Sequence, residues 1–199
     1  MKKGFFTVVL LTAAVFTAYS QSGTIRELSG DVELKHSGTA AFVPARQGSI
    51  VAQDTIVSTG FKSTAVIAIG STVITVRPLT RLSLAEISSS SGTENLNVSL
   101  QTGRIRVDVK PPAGTRANTT VQGPSATASV RGTSFEMDSF SLNVIEGSVG
   151  FVGSDGLTTL VSAGFTSEVS NDGGTVDPVE VAVATLIPAA PVGAGFQGQ

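Results

Sequence analysis

An all-β fold follows from three features of the chain. Apolar and polar residues alternate over short stretches, turn-forming residues interrupt those stretches at intervals of roughly 10 to 15 residues, and the composition is rich in glycine but poor in charge. Alternation is plain in DVELK (31–35), STVITV (71–76), RLSLAEI (81–87), NLNVSL (95–100), RIRVDV (104–109) and SLNVIE (141–146). A strand places successive side chains on opposite faces, so this pattern describes strands with one buried side. Charged residues make up 14% of the 199 and glycines number 22, a profile of many short strands joined by tight turns. The expected architecture is a single sheet-rich roll or sandwich of solenoid-like, β-helix-like character.

The chain divides into three parts. Residues 1–20 have the layout of a secretory signal peptide: Lys2 and Lys3, an apolar run from Phe5 to about Ala18, then the small-x-small triplet Ala18-Tyr19-Ser20. The run is shorter than the roughly 20 residues of a spanning helix, so no stable membrane span is expected after cleavage, retention as an anchor being the alternative. Residues 21–175 are the β domain. Within it SGDVELK, TGRIRVDV and EGSVGFV each set a glycine (Gly30, Gly103, Gly147) two residues ahead of a β-branched residue that opens an alternating strand. QGSIV and AGFTSEV repeat the arrangement at Gly48 and Gly164. Such recurrence fits strands that re-enter the structure at equivalent corners. In residues 176–199, Asp177 as a cap, Pro178 at the first helical position and Pro188 as a stop spell a short helix, followed by a small, Gly-rich tail.

Composition closes off several functions. A net charge of -2 offers no basic field for nucleic acid. The absence of cysteine removes disulfides, thiolate metal sites and a cysteine nucleophile. His36 is the single histidine, in an apparent turn with no carboxylates at ligand spacing, so neither a metal site nor histidine catalysis is expected. The acidic residues are scattered singly, and no Trp is present to stack a sugar ring. GSDGLTT and SNDGGT read as hairpin turns rather than calcium loops. The triplets at Asn97 and Asn118 carry weight only in a glycosylating host. No catalytic, cofactor-binding or metal-binding residue is assigned.

What remains is VRGTSFEM with its downstream VIEGSV. Arg131 beside a bend at Gly132 can reach carboxylates or carbonyls, and Glu146 or Glu136 is a candidate acceptor. The structural reading is a corner clamp formed by Arg131 and Glu146. The functional reading is an arginine that grips an anionic group on a partner.

The order of these residues resembles the FecR domain family. The likeness runs from about Gly30 to Gly150: GDV, then DTIVSTGFKSTAVIAIGSTVITVRPLTRLSL, LQTGRIRVDV, and ATASVRGTSFEM followed by NVIEGSVGF. Arg131, Gly132, Thr133, Phe135, Glu146 and Gly147 belong to its most specific part. The resemblance implies an exported, non-catalytic all-β domain of the bacterial envelope. In the best-known members that domain hears a ligand-loaded outer-membrane receptor and signals through a membrane helix to a sigma factor. Those members carry a helical cytoplasmic segment ahead of the span, whereas here three residues precede Gly4. The expectation is therefore a periplasmic binding or regulatory module that meets another envelope protein, with a structural or cell-wall glycan-binding role as the alternative.

Overall fold

The computed structural model describes residues 22–178. The signal segment, and the helix and tail expected past Pro178, lie outside them. Seventeen strands occur among the described residues: β1 (Gly23–Ser29), β2 (Val32–Lys35), β3 (Val43–Pro44), β4 (Ile50–Val51), β5 (Ile56–Thr59), β6 (Thr64–Ile69), β7 (Thr72–Val76), β8 (Arg81–Ser90), β9 (Thr93–Thr102), β10 (Arg104–Val109), β11 (Arg116–Gln122), β12 (Thr127–Val130), β13 (Ser134–Asp138), β14 (Ser141–Glu146), β15 (Ser148–Val152), β16 (Thr158–Ser162) and β17 (Thr166–Glu168). The alternating stretches RIRVDV and SLNVIE coincide with β10 and β14.

Two sheets face each other. Sheet A runs β4, β1, β6, β7, β10, β13, β14, β17, and sheet B runs β3, β2, β5, β8, β9, β11, β12, β15, β16. Past the first strands the order in each sheet follows the order in the chain. Each passage between sheets thus adds its strands to the same growing end, which gives the sandwich its solenoid-like character. Neighbouring strands pair antiparallel except β9 and β11, which run parallel.

Alternation builds the core directly. Ile67, Ile74, Ile105, Val107, Phe135 and Val144 point inward from sheet A, facing Leu82, Leu84, Val98, Val121 and Phe151 from sheet B, and all are fully buried. Each side chain of this size contributes about 1.5–3 kcal/mol by leaving water. The outward residues of the same strands are polar or half-exposed, which fixes the register, since a slip of one residue would turn the core to solvent.

The five recurring glycines mark the passages between sheets. Gly30, Gly48, Gly103, Gly147 and Gly164 all have φ between 75° and 89°. At Gly103 a Cβ would stand 2.5 Å from Thr80 Cα and 2.7 Å from the Leu79 carbonyl oxygen. Only a residue without a side chain fits there.

Candidate functional site

The outward face of sheet A carries a charged lattice across β7, β10 and β13. Register sets Arg104 opposite Asp138 and Arg106 opposite Glu136. Arg104 Nη2 donates to Asp138 Oδ2 at 2.8 Å. Arg77, following β7, reaches over β10 to give Glu136 Oε1 a 2.7 Å hydrogen bond. Arg106 donates through Nε and Nη2 to Asp108 on its own strand, each at 3.1 Å to its nearer oxygen. Pairs this exposed contribute about 0.2–1 kcal/mol each, so their main effect is to hold guanidinium planes in fixed orientations.

Electrostatics keep Asp108 and Asp138 ionised. Burial works against the charge on Asp108, yet hydrogen bonds from Arg106 and Ser134 outweigh it and hold the carboxyl below its ordinary value. Burial likewise opposes ionisation of Asp138, and the backbone amide of Phe140 with the Arg104 side chain overcomes it. The Arg106 guanidinium is pushed further up by its bond to Asp108. A carboxyl held in its charged form is suited to anchoring a cation rather than donating a proton.

Beside the lattice lies a groove of about 560 Å³, with Pro78 and Leu79 on one rim, Phe140 on the other and Gly103 between them. Both rims are held from below. The Thr59 hydroxyl donates to the Arg77 carbonyl at 2.6 Å and accepts the Thr80 amide at 3.0 Å, which pins the corner from Arg77 to Thr80. The Thr80 hydroxyl accepts the Arg104 amide at 3.0 Å and donates to the Arg104 carbonyl at 3.1 Å, tying that corner to the start of β10. On the other rim Asp138 Oδ1 accepts the amides of Phe140 and Ser141 at 3.0 and 2.8 Å, so the β13–β14 turn projects Phe140 outward.

Leu79 is unusual in this setting. Its φ is +56°, a left-handed conformation that costs a leucine about 1–2 kcal/mol. Burial recovers little of that cost, because Leu79 is 59% exposed. Phe140 is 64% exposed, and Phe61, which follows the Gly60 carbonyl that accepts the Leu79 amide, is 71% exposed. Three large apolar side chains thus stand in solvent along one side of the sandwich.

The signature residues lie elsewhere. Gly132 and Gly147 sit at neighbouring corners with φ of +67° and +80°, and a Cβ on Gly147 would meet Thr133 Cγ2 at 2.6 Å. Phe135 is core, and Thr133 is buried with its hydroxyl unpartnered. The expected ion pair between Arg131 and Glu146 does not form. Both side chains are exposed, and the other candidate acceptor, Glu136, is held by Arg77. Arg131 follows a sheet B strand, whereas Glu146 ends a sheet A strand. Arg131 instead borders a depression of about 410 Å³ on the outer face of sheet B, with Asn118, Ser129, Ser148, Gly150 and Leu160. His36 is exposed in its turn, and no cluster of His, Asp and Glu able to hold a metal occurs among the described residues.

Sequence reasoning passed over Arg77, Leu79, Arg104 and Phe140. The alternation in RIRVDV did place Arg104, Arg106 and Asp108 on one outward face. Nothing local showed that the turns at Leu79 and Phe140 meet.

A two-layer β scaffold that advances strand by strand and carries an exposed apolar and charged groove defines a class of protein. Residues 54–150 match the family model described as FecR protein, so this stretch is a FecR domain. The groove lies within the matched region. No curated protein matches the chain at a significant level. Two crystal structures of a protein from Parabacteroides distasonis, provisionally described as an anti-sigma factor, are similar at 15% identity with TM-scores of 0.49 and 0.47. Each alignment covers 65% of this chain, which spans 64% and 63% of the length of those structures. No helix among the described residues is long and apolar enough to cross a membrane.

Proposed function

We propose that the chain is a non-catalytic, exported FecR-domain module of the bacterial envelope that works by contact with another protein. The observation that carries this reading is Leu79, held in a costly backbone conformation and exposed beside Phe140 and Phe61. Strain of this kind persists where the surrounding structure imposes it, and binding surfaces are among the places where it gathers. An aliphatic or aromatic side chain of a partner would enter between Leu79 and Phe140, while the oriented guanidinium groups of Arg77 and Arg104 supply directional donors at the rim. The FecR domain over residues 54–150 supports the regulatory and envelope parts of the reading.

The test is retention from envelope extract by the mature chain compared with Leu79→Asp and Phe140→Ser. A protein retained by the wild type and lost from both variants, at unchanged melting temperature, supports the reading. Equal retention by all three overturns it. The glycan-binding alternative has one observation in its favour, the uncharged Asn, Ser and Gly depression beside the unpaired Arg131. It requires that cell-wall fragments bind the wild type and not Arg131→Ala.

A further inference from the structure

We propose that the free edge of β16 is a docking edge for an extended, positively charged segment of a partner protein, which joins sheet B as one more strand. This surface is apart from the groove, so either reading can fail alone.

Charge and topology together point to it. No lysine or arginine follows Arg131 anywhere in the sequence, whereas carboxylates continue to Glu180. In most chains such segregation would be mixed again by folding. Here strand order in space follows strand order in the chain, so residues beyond Arg131 gather at one end, in β13 to β17. Glu136 and Asp138 are neutralised by arginines, but Glu146, Asp155 and Glu168 are exposed and make no ion pair among the described residues. Arg131 shares the outer-face depression with Leu160, but it follows β12, so β15 lies between it and the free side of β16.

The edge itself lacks the usual protection. Proteins blunt edge strands with lysine, proline, bulges or extreme shortness. The opposite end follows that rule, because β3 and β4 are two residues each and β3 ends in Pro44. On sheet A the outer flank of β17 is taken by the chain itself, through the bridge of Val169 with Thr175 and the 2.8 Å bond from the Val176 amide to the Glu168 carbonyl. In contrast β16 is five residues long, reads TTLVS, pairs in unbroken register with β15 and has no second neighbouring strand among the described residues, its one link to the segment after β17 being the 2.6 Å hydrogen bond between the Thr159 and Thr175 hydroxyls. Leu160 at its centre is 67% exposed and Leu157 just before it 69%. An added strand would complete the open row of amides and carbonyls and cover Leu160. Its charge would be positive, because the unpaired carboxylates around this end favour cationic partners and repel acidic ones.

The test uses the full mature chain and a labelled peptide of about ten residues alternating lysine with threonine, with a glutamate–threonine peptide as control. Expected are binding of the lysine peptide alone, an affinity that falls about tenfold as ionic strength rises from about 0.03 to about 0.3 M, and slowed amide exchange confined to Thr158–Ser162. Leu160→Pro and Leu160→Lys should each weaken binding about tenfold or more, and the lysine variant, at an exposed position, keeps the fold. The proposal is overturned if the lysine peptide does not bind, if the glutamate peptide binds as well, if protection falls elsewhere, or if Leu160→Lys binds unchanged. It is also overturned if binding appears only after residues 179–199 are removed, since the chain's own tail would then be the occupant.

Discussion

Replacing Gly103 by alanine separates two costs that a corner glycine can conceal. The first is conformational: φ is +89°, and an L side chain there costs about 1–2 kcal/mol. Alanine restricts the unfolded chain more than glycine does, which returns about 0.4–1 kcal/mol and leaves a net loss near 1 kcal/mol. The second cost is steric. The new Cβ would lie 2.5 Å from Thr80 Cα and 2.7 Å from the Leu79 carbonyl, and backbone cannot swing aside as a side chain can. Opening the corner separates the Thr80 hydroxyl, 1% exposed, from its two bonds to Arg104, at a further cost of about 1–3 kcal/mol. Gly103→Ala should therefore lose about 3 kcal/mol. Gly114 supplies the control, with φ +85° and nothing within 4 Å of a Cβ. Gly114→Ala should lose only about 1 kcal/mol. In a domain of this size the melting temperature falls by about 6–12 °C for the first and about 2–4 °C for the second. Urea denaturation of both variants against wild type decides the matter. Losses equal to within about 0.5 kcal/mol would refute the close-approach argument and leave φ as the whole reason for glycine at this corner.

Two further outcomes follow from the charged groups. Arg131→Ala should change stability by no more than about 0.5 kcal/mol in the same urea assay, because the side chain is exposed and unpaired; a larger loss would restore a clamp at that corner. Asp108 and Asp138 titrate below their ordinary value in the folded chain, so each stabilises the fold fully above the unfolded value of about 3.9 and loses that contribution as pH falls through the lower folded value. Denaturation midpoints should be level from about pH 5 upward on account of these groups and decline below about pH 4. Asp138→Asn should make the decline shallower, and an unaltered acid limb would remove Asp138 from the account.

Much of the fold was legible because the physics that sets it is local. Alternation in RIRVDV needs no partner to declare Ile105, Val107 and Val109 buried and Arg104, Arg106 and Asp108 outward, and β10 does both. The corner glycines were equally readable, since a positive φ favours a residue without a Cβ whatever surrounds it. Pairing is different. Arg131 and Glu146 flank neighbouring corners, yet they belong to strands of different sheets and form no ion pair. Arg77 and Glu136 are 59 positions apart and joined by a 2.7 Å bond, because β10 lies between β7 and β13 and an arginine is long enough to cross it. Only strand order discloses that.

The same strand order governs where function can reside. In a sandwich that grows from one end, corners that meet along a side come from rungs separated by tens of residues, so a groove such as that of Leu79 and Phe140 is assembled from turns that carry no mark in sequence. Charge behaves in the opposite way. A chain that adds each strand beyond the last keeps its compositional bias as a spatial one, and a final third without a basic residue becomes an acidic end. The two surfaces therefore answer to different perturbations. Substituting Leu79 or Phe140 should abolish contacts that depend mainly on apolar burial, while contacts at β16 should weaken more steeply with ionic strength and survive both substitutions. A partner whose binding shows both signatures would have to span the side and the acidic end at once, and separate variants at Leu79 and Leu160 would each remove part of its affinity.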